Sequence, residues 1–126
     1  MKSIWEQLIE FGLPGKGSPT GCALYANALF DKLSPQGVSC AVIEFHWKGE
    51  ADYNRGTEDN HAIFVYLDET GRMFSTDATA ARVTWLPSRL SLDQIPQWIN
   101  RDSECSDVRV VRTNMTPAPE SPDTLP

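Results

Sequence analysis

The sequence has little of what metal sites, disulfide scaffolds and membrane spans require. Its three cysteines are odd in number and widely spaced, and it contains only two histidines. Without a Cys-x-x-Cys pair, neither a disulfide framework nor a structural zinc site is expected. We therefore expect no bound metal and no cofactor. Because no run of 18 apolar residues is present, we also expect no membrane-spanning helix.

Positive charge is scarce as well, since 11 lysines and arginines stand against 17 aspartates and glutamates, for a net charge of −6. Such a chain is a poor partner for nucleic-acid phosphates or anionic membranes, so we expect neither. Glu6 and Glu10 interrupt the apolar region that a signal peptide needs. We expect a cytoplasmic protein, or one exported by a leaderless route.

The length of 126 residues suits one domain with a sizeable core. We place this single domain at residues 1–115. Residues 116–126 contain four prolines and no apolar cluster. This composition predicts a disordered, proline-rich tail.

Periodicity along the chain predicts an α+β domain, with N-terminal helices packed on an antiparallel β-sheet. Ser3 and Glu6 have the spacing of a capping box, which favours a first helix over residues 3–11. A second helix is predicted to end at Leu33, before a proline and a glycine. Further expected elements are strands at 38–45, 61–67, 72–78, 83–86 and 107–113 and a helix at 91–100. Residues 47–60 lack periodicity and are predicted to form a long functional loop.

The second helix carries a cysteine in its first turn. A glycine-rich stretch over residues 15–19 precedes Thr20, which is the predicted N-cap. Unpaired backbone N–H groups and the helix dipole favour a thiolate at Cys22. The predicted buried stripe of this helix consists of Leu24, Tyr25, Ala28, Leu29 and Leu33. The alternative for Cys22 is a small buried core residue.

A predicted hairpin supplies a partner for this cysteine. With its turn centred near Glu69, His61 lies opposite or diagonal to Asp77 on the same face of the sheet. A histidine oriented by a carboxylate is the base that nucleophilic catalysis uses. If the Cys22 helix packs on that face, the three form a triad, and the Cys22 N–H contributes to an oxyanion hole.

Other interpretations of these side chains remain open. His61 can be an ordinary strand histidine, and Asp77 can cap a turn together with Thr79. His46, which follows the predicted strand 38–45, is expected to be a surface residue at the strand end. Cys40 is expected in the core, and Cys105 is expected to be exposed and inert.

Three segments resemble the transglutaminase-like superfamily. Residues 21–26 (GCALYA), followed by Leu29 and Leu33, look like its nucleophile segment. Residues 61–65 (HAIFV) are similar to its histidine strand, and residues 77–79 (DAT) stand where that superfamily has Asp-Pro-Thr. The resemblance covers roughly residues 18–80, about half of the one expected domain. It implies a papain-like core with the catalytic residues Cys22, His61 and Asp77.

The sequence also departs from that pattern. Ala78 replaces the usual proline. Lys16 stands where papain-like proteases keep a glutamine before the cysteine. The second oxyanion donor is therefore unassigned.

The resemblance implies a cysteine-dependent hydrolase or acyltransferase. Such an enzyme cleaves an amide bond through a thioester, as a peptidase, amidase or deamidase does. The expected substrate is a protein or peptide, a cell-wall peptide among the candidates, in a bacterial or phage setting. A partner protein is a further expectation. The alternative is a non-catalytic binding or inhibitor module that retains the papain-like fold.

Overall fold

The computed structural model describes residues 3–11, 22–52, 56–76, 83–87, 90–100 and 103–115. Within these ranges, side chains are described except at positions 5, 9–11, 22, 50–52 and 56–59. The predicted tail, residues 116–126, lies outside the described residues. No helix in the described ranges is long and apolar enough to cross a membrane.

The described elements confirm an α+β class built on an antiparallel sheet. Five strands are arranged in the order β4-β3-β2-β1-β5. Their bounds are β1 Cys40–Asp52, β2 Gly56–Leu67, β3 Met73–Thr76, β4 Val83–Leu86 and β5 Glu104–Thr113. Each described strand pairs in antiparallel fashion with its neighbour. A papain-like core is a finer classification, and it stays a prediction.

Helix α1 spans Ile4–Phe11, α2 spans Cys22–Leu33 and α3 spans Ile95–Ile99. The predicted capping box is present, since Ser3 N–H donates to Glu6 Oε1 at 2.8 Å and Glu6 N–H donates to Ser3 Oγ at 3.1 Å. A short 3-10 turn at Ser34–Gln36 follows α2, and Gly37 leaves it with φ of 87°. This is the left-handed conformation that glycine tolerates, as the helix-stop signal predicts.

The two faces of the sheet have different covers. We call the side of Val42, Ala62 and Phe64 the helix face, because α1 and α2 pack there around Leu8, Leu29 and Leu33. The side of Ile43, Phe45 and Ile63 is the opposite face, which also carries Leu86 of β4 and packs against Ile95 of α3. Successive strand residues point to alternate faces. In β1 and β2, the even-numbered residues Val42, Ala62 and Phe64 therefore lie on the helix face, and the odd-numbered residues Ile43, Phe45 and Ile63 lie on the opposite face.

The buried side of α2 differs in part from the predicted stripe. Leu29 and Leu33 are fully buried as expected, but Leu24 is 75% exposed. Ala26 is buried instead, in the cluster that contains Leu29. The small Ala26 side chain allows the helix to approach the strands, whereas Leu24 lies on the solvent side.

The prediction of a loop at residues 47–60 is wrong, because most of these residues form part of a long hairpin. The β1–β2 register runs without interruption from Cys40–Tyr66 to Lys48–Glu58 and reaches Asp52–Gly56 after an irregularity. Trp47 is buried on the opposite face. Cross-strand hydrogen bonds satisfy the backbone, so this polar segment forms a ladder despite its weak periodicity.

The β2–β3 hairpin is offset from the expected register. Val65 pairs with Ser75, whereas a turn centred at Glu69 would pair Val65 with Met73. The connection is longer because Asp68 N–H donates to Arg72 O at 2.9 Å and Gly71 N–H donates to Asp68 O at 3.0 Å. A two-residue offset leaves each residue on its original face.

Candidate functional site

Helix α2 begins at Cys22, as the sequence predicts for its second helix. The first backbone N–H groups of an α-helix have no partner within the helix, so the start of α2 presents donors and the positive end of the dipole. The Cys22 side chain, Thr20 and the glycine-rich stretch lie outside the described residues.

The first turns of α2 lie over the middle of β2. Ala23 and Tyr25 pack against Ala62. Farther along α2, Leu29 and Leu33 pack in the cluster of Cys40 and Tyr66. Helix α2 therefore runs from the level of Ala62 towards that of Tyr66, which is parallel to β2 and antiparallel to β1.

Arg112 of β5 ties α2 to the sheet. Its Nη2 donates to Asp31 Oδ1 at 2.7 Å and its Nη1 donates to Asn27 Oδ1 at 3.0 Å. Its guanidinium lies 4.2 Å from the centre of the Phe30 ring. Arg112 pairs with Val42 in the sheet. These contacts hold the helix at a defined level along β1.

His61 is buried in β2, and 6% of its surface is exposed. It pairs with Phe45 across the ladder, and the two rings meet edge to face with centroids 5.6 Å apart. Since Phe45 belongs to the cluster of the opposite face, the His61 ring lies there too. Ala62 and Phe64 are the β2 residues that pack in the clusters with α2.

The predicted triad is thus placed only in part. The start of α2 lies over Ala62, the next residue after His61, but the His61 ring is on the face away from α2. Asp77 follows the last residue of β3, Thr76, and lies outside the described residues. The set Cys22, His61 and Asp77 stays a prediction.

His46 is the histidine that lies on the helix face. It is inside β1 and half-buried, not at a strand end as expected, and it pairs directly with Asn60 of β2. Its Nδ1 is 3.0 Å from Asn60 Oδ1. This pair is not predictable from the sequence interpretation above, because a loop over residues 47–60 leaves Asn60 without a strand partner. The usable signal was Phe45 and Trp47 flanking a polar residue, the alternation of a half-buried strand.

Burial makes the two other cysteines weak nucleophiles. Cys40 is fully buried, and desolvation raises the pKa of its thiol to about 11, against an opposing effect of the Arg112 charge. Cys105 is half-buried, which corrects the expectation that it is exposed, and desolvation raises its pKa as well. Both thiols are therefore protonated near neutral pH.

Among the described residues, no group of three histidine, cysteine, aspartate or glutamate side chains is arranged to hold a metal ion. Comparisons of the chain with protein families, curated proteins and solved structures found no match. The resemblance to the transglutaminase-like superfamily therefore stays a prediction.

Proposed function

We propose that this protein is a cysteine-dependent hydrolase that cleaves an amide bond in a protein or peptide, with Cys22 as the nucleophile. The observation that carries the proposal is that α2 begins at Cys22 with its first turns on Ala62, which directly follows His61 in β2 and lies two ladder positions from the His46–Asn60 pair. A cysteine at a helix start near an imidazole has the surroundings that lower a thiol pKa.

The reaction proceeds in two balanced stages. The thiol proton passes to a histidine, the sulfur bonds to the carbonyl carbon, and the C–N bond breaks as the amine takes that proton. Water then attacks the thioester, giving a proton to the same histidine. The C–S bond breaks and the carboxylic acid leaves. The sequence resemblance names His61 as this base and Asp77 as its orienting group.

Hydrolysis is preferred to transamidation, because water as the second reactant requires no second protein-binding surface. A cell-wall peptide is one candidate substrate. The position of the His61 ring on the face away from α2 favours a second candidate, a non-catalytic binding or inhibitor module of the same fold.

Iodoacetamide labelling at pH 6 separates the two functions without a known substrate. An ordinary thiol with a pKa of about 8.5 is roughly 0.3% thiolate at that pH. An activated thiol is mostly ionised, but a thiolate of low pKa is less nucleophilic, so a net gain of roughly tenfold is expected. Mass spectrometry identifies the labelled peptides.

Cys40 and Cys105 serve as internal controls, because their thiols have raised pKa values. We expect Cys22 to react roughly ten times faster than Cys105. Equal rates at Cys22 and Cys105 in the folded protein would refute the activated nucleophile and leave the binding module as the function.

A further inference from the structure

We propose that His46, oriented by Asn60, is the catalytic base for Cys22. This inference rests on the proposed function and assigns the base to a different histidine from the one that the sequence resemblance names. Three observations carry it: the face of the sheet, the level of the helix start, and the hydrogen bond between His46 and Asn60.

The face follows from strand alternation. The β1–β2 register is continuous from Cys40 to Lys48, so His46 shares the side of Val42. Val42 packs in the cluster of Leu29 and Leu33, which are residues of α2. The neighbours of His46 in β1, Phe45 and Trp47, belong to the opposite cluster. His46 is therefore on the side of the sheet that α2 covers.

The position of Cys22 along the direction of β1 follows from the rise per residue of the helix and of the strand. Helix α2 has 12 residues and is about 18 Å long. Its C-terminal residue, Leu33, packs in the cluster of Cys40. The six strand steps from Cys40 to His46 span about 20 Å. The backbone of Cys22 thus begins near the His46–Asn60 pair, one position beyond the Ala62–Glu44 pair on the same face.

The hydrogen bond determines which imidazole nitrogen is basic. Asn60 Oδ1 is an acceptor, so His46 Nδ1 carries a proton and donates it across the 3.0 Å contact. In the neutral ring the lone pair is then on Nε2, which takes the Cys22 proton. Asn60 is a positioning residue, because it acts by fixing the orientation and tautomer of the ring.

The surrounding sheet is also irregular at this point. Between the pairs Glu44–Arg109 and His46–Ser106, β5 contains one residue more than β1. Asp107, inside that bulge, has φ of 52°, in the left-handed region. A bulge bends its strand locally, and bulges are common beside active sites.

Charged residues flank His46 along β1. Glu44 and Lys48 share its face of β1, and Glu44 Oε1 accepts from Arg109 Nη2 of β5 at 3.1 Å. Glu58 occupies the β2 position opposite Lys48. On α2, Tyr25 packs near this level.

The test is the pH profile of Cys22 alkylation by iodoacetamide, measured for the full chain from pH 5 to pH 9. In His46→Ala the rate at pH 6 should fall roughly tenfold, because the imidazolium no longer stabilises the thiolate. At pH 9 the variant should react at least as fast as wild type, because an ordinary thiol is then mostly ionised and its thiolate is the stronger nucleophile. A purely structural defect would change both rates.

His61→Phe, which keeps an aromatic ring against Phe45, tests the base that the sequence resemblance names; assignment of the base to His46 requires that this variant lower the rate at pH 6 less than His46→Ala does. Asn60→Leu should lower the rate at pH 6, whereas Asn60→Asp retains an acceptor for Nδ1 and should restore it. Circular dichroism and melting temperature establish that each variant is folded.

The outcomes are distinguishable. If His61→Phe abolishes low-pH labelling and His46→Ala does not, His46 is not the base, although the proposed function stands. Equal loss in both variants also overturns the assignment. If wild-type Cys22 shows no excess reactivity at pH 6, the proposed function fails and this inference fails with it.

Discussion

At the scale of single residues, the clearest electrostatic feature is the Asp68 carboxylate in the β2–β3 turn. Its Oδ1 accepts hydrogen bonds from Thr70 N–H at 2.9 Å, Thr70 Oγ1 at 2.7 Å and Arg72 N–H at 3.0 Å. Desolvation raises the pKa of Asp68, but these bonds and the Arg72 charge outweigh it and hold the pKa below its usual value. Because the folded-state pKa is lowered, the carboxylate stabilises the fold above its unfolded pKa and loses this effect as the pH falls.

We predict that Asp68→Ala lowers the free energy of unfolding by about 1–2 kcal/mol at pH 7, as expected for lost hydrogen bonds to a charged acceptor. The difference from wild type should shrink as the pH falls from 5 to 2, since the wild-type carboxyl then takes up its proton. Urea unfolding at several pH values measures this. Asp68→Asn retains one acceptor and controls for charge. If the difference in free energy of unfolding between wild type and Asp68→Ala is the same at pH 2 as at pH 7, the prediction is contradicted.

At the scale of elements, the side that α2 presents to the sheet determines what its first turns can approach. Leu29 is fully buried and Leu24 is 75% exposed, although both belong to the predicted stripe. Ala23 and Ala62 are small enough for the helix start to lie close to β2. Packing therefore determines which side of α2 faces the sheet, and it also determines where Cys22 lies along the strands.

We predict that Leu29→Ala destabilises the domain by about 2–5 kcal/mol, because it leaves a cavity between α2 and the sheet. The same substitution at Leu24 is the matched control and should change stability by less than about 0.5 kcal/mol. Thermal or urea unfolding compares the two variants. A larger loss for Leu24→Ala than for Leu29→Ala would show that α2 packs on its other side.

At the scale of the whole molecule, Asn114 connects the end of β5 to the start of β1. Its Oδ1 accepts from Cys40 N–H at 2.8 Å, and its Nδ2 donates to Val38 O at 2.8 Å and Ser34 Oγ at 2.9 Å. Residues 34–40, which link α2 to the sheet, are thereby fastened to the last described strand. The next residue, Met115, packs in the cluster of the opposite face.

We predict that a chain ending after Met115 keeps the melting temperature of the full chain to within about 2 °C, because residues 116–126 have no apolar cluster. Asn114→Ala should instead cost about 1–3 kcal/mol, since it removes the acceptor for the Cys40 N–H. Calorimetry of both variants tests this. A large loss on truncation alone would show that the last 11 residues belong to the domain.

Local signals account for much of the fold. The capping box at Ser3 and Glu6, the stop after Leu33 and the α+β order were all predictable, because each depends on contacts within a few residues or on one period. The sheet order and the position of β5 beside β1 join residues far apart in sequence. Neither could be read from periodicity, because strand pairing depends on long-range contacts.

For the candidate site, the sequence was sufficient to place Cys22 at a helix start and His61 in a strand. It was not sufficient to determine the faces. A strand histidine can lie on either side of a sheet until the helix that covers one side is known, and here Ala62 packs against α2 whereas the His61 ring meets Phe45. The His46–Asn60 pair depends on the long hairpin, because cross-strand hydrogen bonds bring these two residues together. Sequence periodicity predicts a strand end for His46 and a loop for Asn60, so it does not reveal the pair.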